Sequence, residues 1–97
     1  MMDNLALHAK AYGHVQGVYF RAFTASHASR LHLTGYVSNV EDGTVEVYAE
    51  GTKEALEQFL KMIGTGPHGA VVTHVDSEWS DSTDNYKDFR IIYRSFS

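Results

Sequence analysis

The order in which the hydrophobic period changes along this chain limits its fold more than any single motif does. Leu5 to Tyr12 alternates, with Leu5, Leu7, Ala9 and Ala11 on one face, and reads as a strand. Gly13 to Tyr19 is a loop with glycine at its turns. Phe20 to about Leu31 reads as a modest helix, weakened by His27 and several serines. Leu33 to Val40 reads as a second strand. Asp42-Gly43 predicts a two-residue hairpin turn, because both positions tolerate positive φ. Thr44 to Ala49 is the returning strand, with Val45, Val47 and Ala49 inward and Glu46, Tyr48 and Glu50 outward. Thr52 caps a second helix whose Ala55, Leu56, Phe59, Leu60 and Ile63 hold helical spacing. Gly64 to Gly69 is a loop with the only proline. Val71 to Trp79 reads as a strand with Val71, Val75 and Trp79 on one face. Ser80 to Asn85 is polar and acidic, and is expected to be a mobile surface loop. Lys87 to Arg94 forms a last strand.

The resulting order is β-α-β-β-α-β plus one strand. Two helices must then cover one face of a single sheet, mixed but mostly antiparallel. This is an α+β fold, the ferredoxin-like split βαβ sandwich. Right-handed crossovers set the first and third strands side by side, which brings the loop after the first strand near the middle of the sheet's end. Ninety-seven residues suffice for one domain, 1–97, without internal repeats or linkers. An apolar content of 43% with 12% aromatics belongs to a folded protein and not to a disordered one.

Within this frame, Gly13-His14-Val15-Gln16-Gly17-Val18-Tyr19-Phe20-Arg21 is the stretch that carries chemistry. Such a loop can turn several backbone N–H groups toward one point, making an anion-binding nest. The helix beginning at Phe20 aims unpaired N–H groups and a partial positive charge the same way. Arg21 adds a planar five-donor fork that matches phosphate geometry. A glycine-rich connection that only turns the chain is the plainer reading, and for a lone glycine pair it usually wins. Here the adjoining Gln16-Gly17 and Arg21 count against it. Gly17 is expected to take a positive φ that a side chain would penalise. Arg21 could equally be a surface arginine paired with a carboxylate. In a helix's first turn, however, a cation meets an unfavourable dipole end unless an anion sits between them. Asn39, taken alone, reads as a turn residue ahead of Asp42-Gly43.

At these residues the chain closely resembles the acylphosphatase family. That family's signature, Gly-x-Val-Gln-Gly-Val-x-Phe-Arg, is matched throughout by Gly13 to Arg21. Gly35-Tyr36-Val37-Ser38-Asn39 fits a second, weaker motif, and Asp42-Gly43, Glu50-Gly51, Gly66-Pro67 and Phe89-Arg90-Ile91 extend the likeness over roughly Leu5 to Tyr93. The resemblance implies the same fold and hydrolysis of an acyl phosphate to a carboxylate and inorganic phosphate. It assigns phosphoryl binding to Arg21 and to the loop of Val15, Gln16, Gly17, Val18 and Tyr19. It reverses the reading of Asn39, which becomes the residue that orients the attacking water. It implies no cofactor, no metal and no protein general base, because a phosphate oxygen of the substrate can take the proton. Two departures stand out. Ser38 replaces a basic or longer residue usual before the asparagine, and Arg94 to Ser97 run past the point where many relatives end.

Other features suggest less. Gly64-x-Gly66-x-x-Gly69 matches a dinucleotide fingerprint but follows a helix and precedes a strand, and Pro67 removes an N–H. The six histidines include no tight helical pair suited to a metal. A net charge of −4 and the acidic strand Thr44 to Glu50 argue against nucleic acid, so an RNA-binding reading of the tyrosines is disfavoured. No apolar run reaches the ~20 residues of a membrane span. The chain has no cysteine, and Met1-Met2-Asp3-Asn4 lacks a signal peptide's regions, so a cytoplasmic monomer with a small-molecule partner is expected. The competing function is a phosphate or carbamoyl-phosphate binding module without turnover. The presence of both Arg21 and Asn39 favours the enzyme.

Overall fold

The computed structural model describes residues 4–94. Its strands and helices follow the expected order: β1 (Leu5–His14), α1 (Phe20–Arg30), β2 (Thr34–Asn39), β3 (Val45–Gly51), α2 (Lys53–Thr65), β4 (Val71–Asp81) and β5 (Phe89–Ile92). The five strands form one sheet in the order β4-β1-β3-β2-β5. All neighbours are antiparallel except β2 and β5, which run parallel. Helix α1 lies against β2 and β5, and α2 lies against β1, β4 and β3. Between helices and sheet sits the core of Leu7, Ala9, Ala11, Val37, Val45, Val47, Ala49, Leu56, Phe59 and Ile63, all essentially inaccessible to water. Among the described residues no helix is long and apolar enough to cross a membrane.

The two helices are built differently. Thr52, in extended backbone conformation, accepts a hydrogen bond from the Ala55 N–H at 3.2 Å, and Glu54 lies in α2's first turn, so that N-terminus is capped in side chain and charge. Helix α1 has neither device. Its cap position is Tyr19, left-handed at φ 60°, with no side-chain hydrogen bond and no acidic residue in the first turn. It buries only the narrow row Phe20, Thr24 and Ala28.

Four expectations are corrected. The β2–β3 turn is not a two-residue one. It spans Val40 to Gly43, closed by the Gly43 N–H donating to the Val40 carbonyl at 3.0 Å, and of Asp42 and Gly43 only the glycine has positive φ. The Asp42 carboxylate accepts instead from the Thr44 N–H and hydroxyl, which selects this longer turn. On β4, Val71 is 58% exposed, and Val72 packs on the core with Val75. The pairing steps from Tyr12 with His74 to Gly13 with Val72, so Thr73 is an extra residue and the faces exchange there. A Cβ on Gly13 would stand 2.1 Å from the Val71 carbonyl oxygen, so the bulge needs a glycine opposite it.

Ser80 to Asn85 is not a free loop, since Ser80 and Asp81 belong to β4. The next three residues are fastened to Glu50, which is on the open face of the sheet as expected but only 3% exposed. Its carboxylate accepts from the Thr83 N–H and hydroxyl, the Asp84 N–H, the Ser82 hydroxyl and the Tyr48 hydroxyl. Burial raises its pKa, and this set of donors outweighs burial to leave it below the ordinary value. Finally, the last strand is shorter than Lys87 to Arg94, because only Phe89–Ile92 pair with β2.

Candidate active site

The loop between β1 and α1 opens into a cleft of about 360 Å³ lined by Val15, Gly17, Tyr19, Phe20, Arg21, Ala22, Asn39, Ile91 and Tyr93. Arg21 and Asn39 therefore face one space. The sheet order explains it. β1 leads into the loop, β3 and then β2 lie beside it, and Asn39 is the last residue of β2 at that end. Parallel pairing of Ser38 with Ile92 brings Tyr93, the next residue of the last strand's path, level with Asn39.

The loop is held open by backbone conformations rather than by hydrogen bonds of its own. Gly17 has φ 74° and Tyr19 φ 60°. A Cβ on Gly17 would meet nothing within 4 Å, so the glycine is required by its φ and leaves the cleft clear. The first helical bond of α1 is the Phe23 N–H to the Tyr19 carbonyl at 3.0 Å. Among the described residues no protein acceptor is hydrogen-bonded by the N–H groups from Val15 to Ala22. They form a set of unpaired donors at the positive end of an uncapped helix.

Arg21, half-buried, has no carboxylate partner among the described residues. Its guanidinium carbon lies 4.9 Å from the centre of the Tyr93 ring. The Asn39 Oδ1 is buried and has no hydrogen-bond partner, one of two such side-chain atoms among the described residues, the other being Thr24 Oγ1. An acceptor left unmet costs free energy unless something donates to it. No Asp, Glu or His is among the lining residues.

The remaining residues of the expected phosphate loop divide. Val15 is fully buried yet lines the cleft, Gly17 and Tyr19 line it, and Val18 packs on the core. The Gln16 side chain turns away from the cleft. Its Nε2 donates to the Val40 and Thr44 carbonyls, each at 2.9 Å, and ties the loop to the β2–β3 hairpin. Ser38, on the opposite face of β2 from Asn39, is buried and donates to the Asn39 carbonyl at 3.0 Å. The sequence reading passed over Ile91 and Tyr93 as cleft residues. The expected last strand, Lys87 to Arg94, included Tyr93, and only the shorter β5, ending at Ile92, leaves its ring beyond the strand at the cleft. Of the extension past β5, Arg94 pairs with Glu46, and 95–97, with the terminal carboxylate, lie outside the described residues.

The chain is similar in sequence and in fold to known acylphosphatases. The family model described as acylphosphatase matches residues 7–91. The acylphosphatase of Dehalococcoides mccartyi (strain ATCC BAA-2266 / KCTC 15142 / 195) is 52% identical over 88 residues, covering 90% of this chain and 97% of that protein. The crystal structure of acylphosphatase from Bacillus subtilis superposes with a TM-score of 0.89 at 36% identity, covering 92% of this chain and 99% of that one. Full-length HypF, in its phosphate- and nucleotide-bound form, is similar over only 12% of its length, with 95% of this chain covered, at 29% identity and a TM-score of 0.86. On the extent of the family match and the identity to these relatives, the chain belongs to the acylphosphatase family.

Proposed function

We propose that this chain hydrolyses acyl phosphates in the cleft, with Arg21 and the loop's N–H groups binding the phosphoryl group and Asn39 orienting the water. The observation that carries the reading is the pairing of opposite vacancies in one cleft. Among the described residues, donors without acceptors lie along the loop, an arginine without a carboxylate lies beside them, and a buried acceptor without a donor faces both. A phosphoryl group supplies oxygens to the first two. A water supplies an O–H to the third.

The chemistry follows. Water held by the Asn39 Oδ1 attacks phosphorus, and the bond from phosphorus to the acyl oxygen breaks. The carboxylate leaves with the bonding electrons, and the water's proton passes to a phosphoryl oxygen. The lining has no group that would act as a base, and a carboxylate is a good enough leaving group to need no acid. Positioning and charge stabilisation carry such a reaction. Against the chain's net charge of −4, Arg21 supplies the local attraction.

The test separates binding from chemistry. Hydrolysis of benzoyl phosphate is followed in EDTA for the wild type and Asn39→Ala, and inorganic phosphate is used as inhibitor of the wild type and as ligand for both proteins. Asn39→Ala should bind phosphate as the wild type does and lose ~10²-fold or more in kcat. Wild-type kcat in Asn39→Ala would return Asn39 to the role of a turn residue. A wild type that binds phosphate but turns over no acyl phosphate would make the domain a binding module.

A further inference from the structure

We infer that Tyr93 is a positioning residue: its ring face holds the Arg21 guanidinium and leaves the N–H edges of the fork free for the phosphoryl group. The inference rests on the reading of Arg21 above and adds the question of what aims it. A flexible arginine in the first turn of an uncapped helix is repelled by the helix's own positive end. Something must hold it toward the cleft when no anion is bound. Among the described residues no carboxylate does so. The Tyr93 ring, 4.9 Å from the guanidinium carbon, attracts the cation through its π face. The five donors lie in the guanidinium plane at its edge, so contact with a ring face uses none of them.

The placement of Tyr93 fits a role in the site better than a role in the fold. It is 75% exposed, so little of the ring is buried by packing. It nevertheless lines the cleft with Arg21 and Asn39. It follows β5, whose Phe89 and Ile91 pack on the core and whose Ile92 pairs with Ser38. The backbone that carries the ring is thus anchored to the strand that carries Asn39, and one end of the sheet sets both the water site and the arginine.

The experiment is a graded series at Tyr93, read by inorganic phosphate binding, benzoyl phosphate kinetics and thermal stability. Inorganic phosphate has no acyl group, so a change in its affinity cannot come from lost contact with that group. Tyr93→Phe keeps the ring and should bind phosphate within about twofold of the wild type. Tyr93→Trp should bind at least as well. Tyr93→Leu keeps the bulk without the π face and should weaken phosphate binding ~2–5-fold, the range for an exposed cation–π pair. Its kcat/KM should fall by at least that factor, with an unchanged melting temperature. Equal phosphate affinity in Leu and Phe variants would overturn the inference, and so would equal losses in both, which would point to the hydroxyl. The reading of Arg21 fails separately, if Arg21→Ala binds phosphate as the wild type does.

Discussion

The two faces of the sheet's polar chemistry are organised in opposite ways. On the open face, away from the helices, several charged and aromatic groups meet partners. Glu50 takes hydrogen bonds from four residues, Glu46 is bound by His8 at 2.7 Å and by Arg94, and Asp42 is bound by Lys10 at 2.9 Å. Tyr36 stacks on Tyr48 at 5.9 Å, with Tyr86 tilted against both. In the cleft the reverse holds. Among the described residues Arg21 has a ring but no carboxylate and Asn39 Oδ1 has no donor, and Tyr19 takes a left-handed conformation with 86% of its surface exposed. A fold satisfies its polar groups where stability is the only requirement. It leaves them open, and keeps strained backbone, where a ligand is to complete them.

If that contrast is right, substitutions in the two regions should separate activity from stability. Arg21→Ala should give the largest functional effect. A charged hydrogen bond contributes roughly 1.5–3 kcal/mol, and a fork makes two, so phosphate affinity should fall about 10²–10⁴-fold. Hydrolysis should become undetectable. The urea midpoint should not decrease, because among the described residues the arginine has no carboxylate partner and sits at an unfavourable helix end. Measured together, phosphate binding and urea unfolding would break the comparison if Arg21→Ala were as active as the wild type or markedly less stable.

The two loop glycines offer a sharper form of the same test. Gly13 and Gly17 both have positive φ, at 122° and 74°. Gly13 is needed by the fold, since a Cβ there would strike the Val71 carbonyl oxygen at 2.1 Å. Gly17 has open space around it, and that space is the cleft. Gly13→Ala should therefore lower stability by at least ~2 kcal/mol. Gly17→Val should cost only ~1–2 kcal/mol of left-handed strain, yet lose phosphate binding and turnover, because its side chain would occupy the ligand's place. Equal stability losses with equal activity in the two variants would show that the loop is one structural unit with no division of labour.

The legible parts of this molecule were those fixed by local backbone demands. The order of elements follows from period, and Gly17's positive φ follows from the turn a glycine-bounded loop must make. Arg21's place at the cleft was legible because a cation in a helix's first turn calls for an anion. What could not be read depends on contacts across the sequence. Gln16 looked like part of the phosphate cradle, but its amide is used by two carbonyls 24 and 28 residues away. Val71 looked inward because a bulge at Thr73 leaves no mark in the period of β4. Ser82 to Asp84 looked mobile because the group that fastens them, Glu50, lies more than thirty residues earlier. Asn39 needed the sheet order, and Tyr93 needed the parallel pairing of β5 with β2.

Glu50 gives the smallest expected effect and tests the satisfied face. Glu50→Gln keeps the shape and one acceptor, but its amide N–H₂ would oppose the donors of Tyr48, Ser82 or Thr83. Leaving such buried groups mismatched costs ~1–3 kcal/mol, toward the low end here because Thr83 and Asp84 are exposed enough for water to replace the carboxylate. The sign with pH follows from the lowered pKa of the folded state. A carboxyl whose folded pKa lies below its ordinary value of 4.5 contributes stability that is fully present above that value. The contribution is lost as pH falls through the folded pKa, where the protonated acid can no longer accept from all its donors. The difference in urea midpoint between the wild type and Glu50→Gln should therefore be widest near neutrality and should narrow below about pH 4.5. kcat on benzoyl phosphate at neutral pH should be unchanged, because Glu50 is on the face of the sheet turned away from the cleft. A gap that stayed constant into acid would mean that the strap is held by shape and not by the carboxylate's charge, and a loss of kcat would mean that the two faces are coupled.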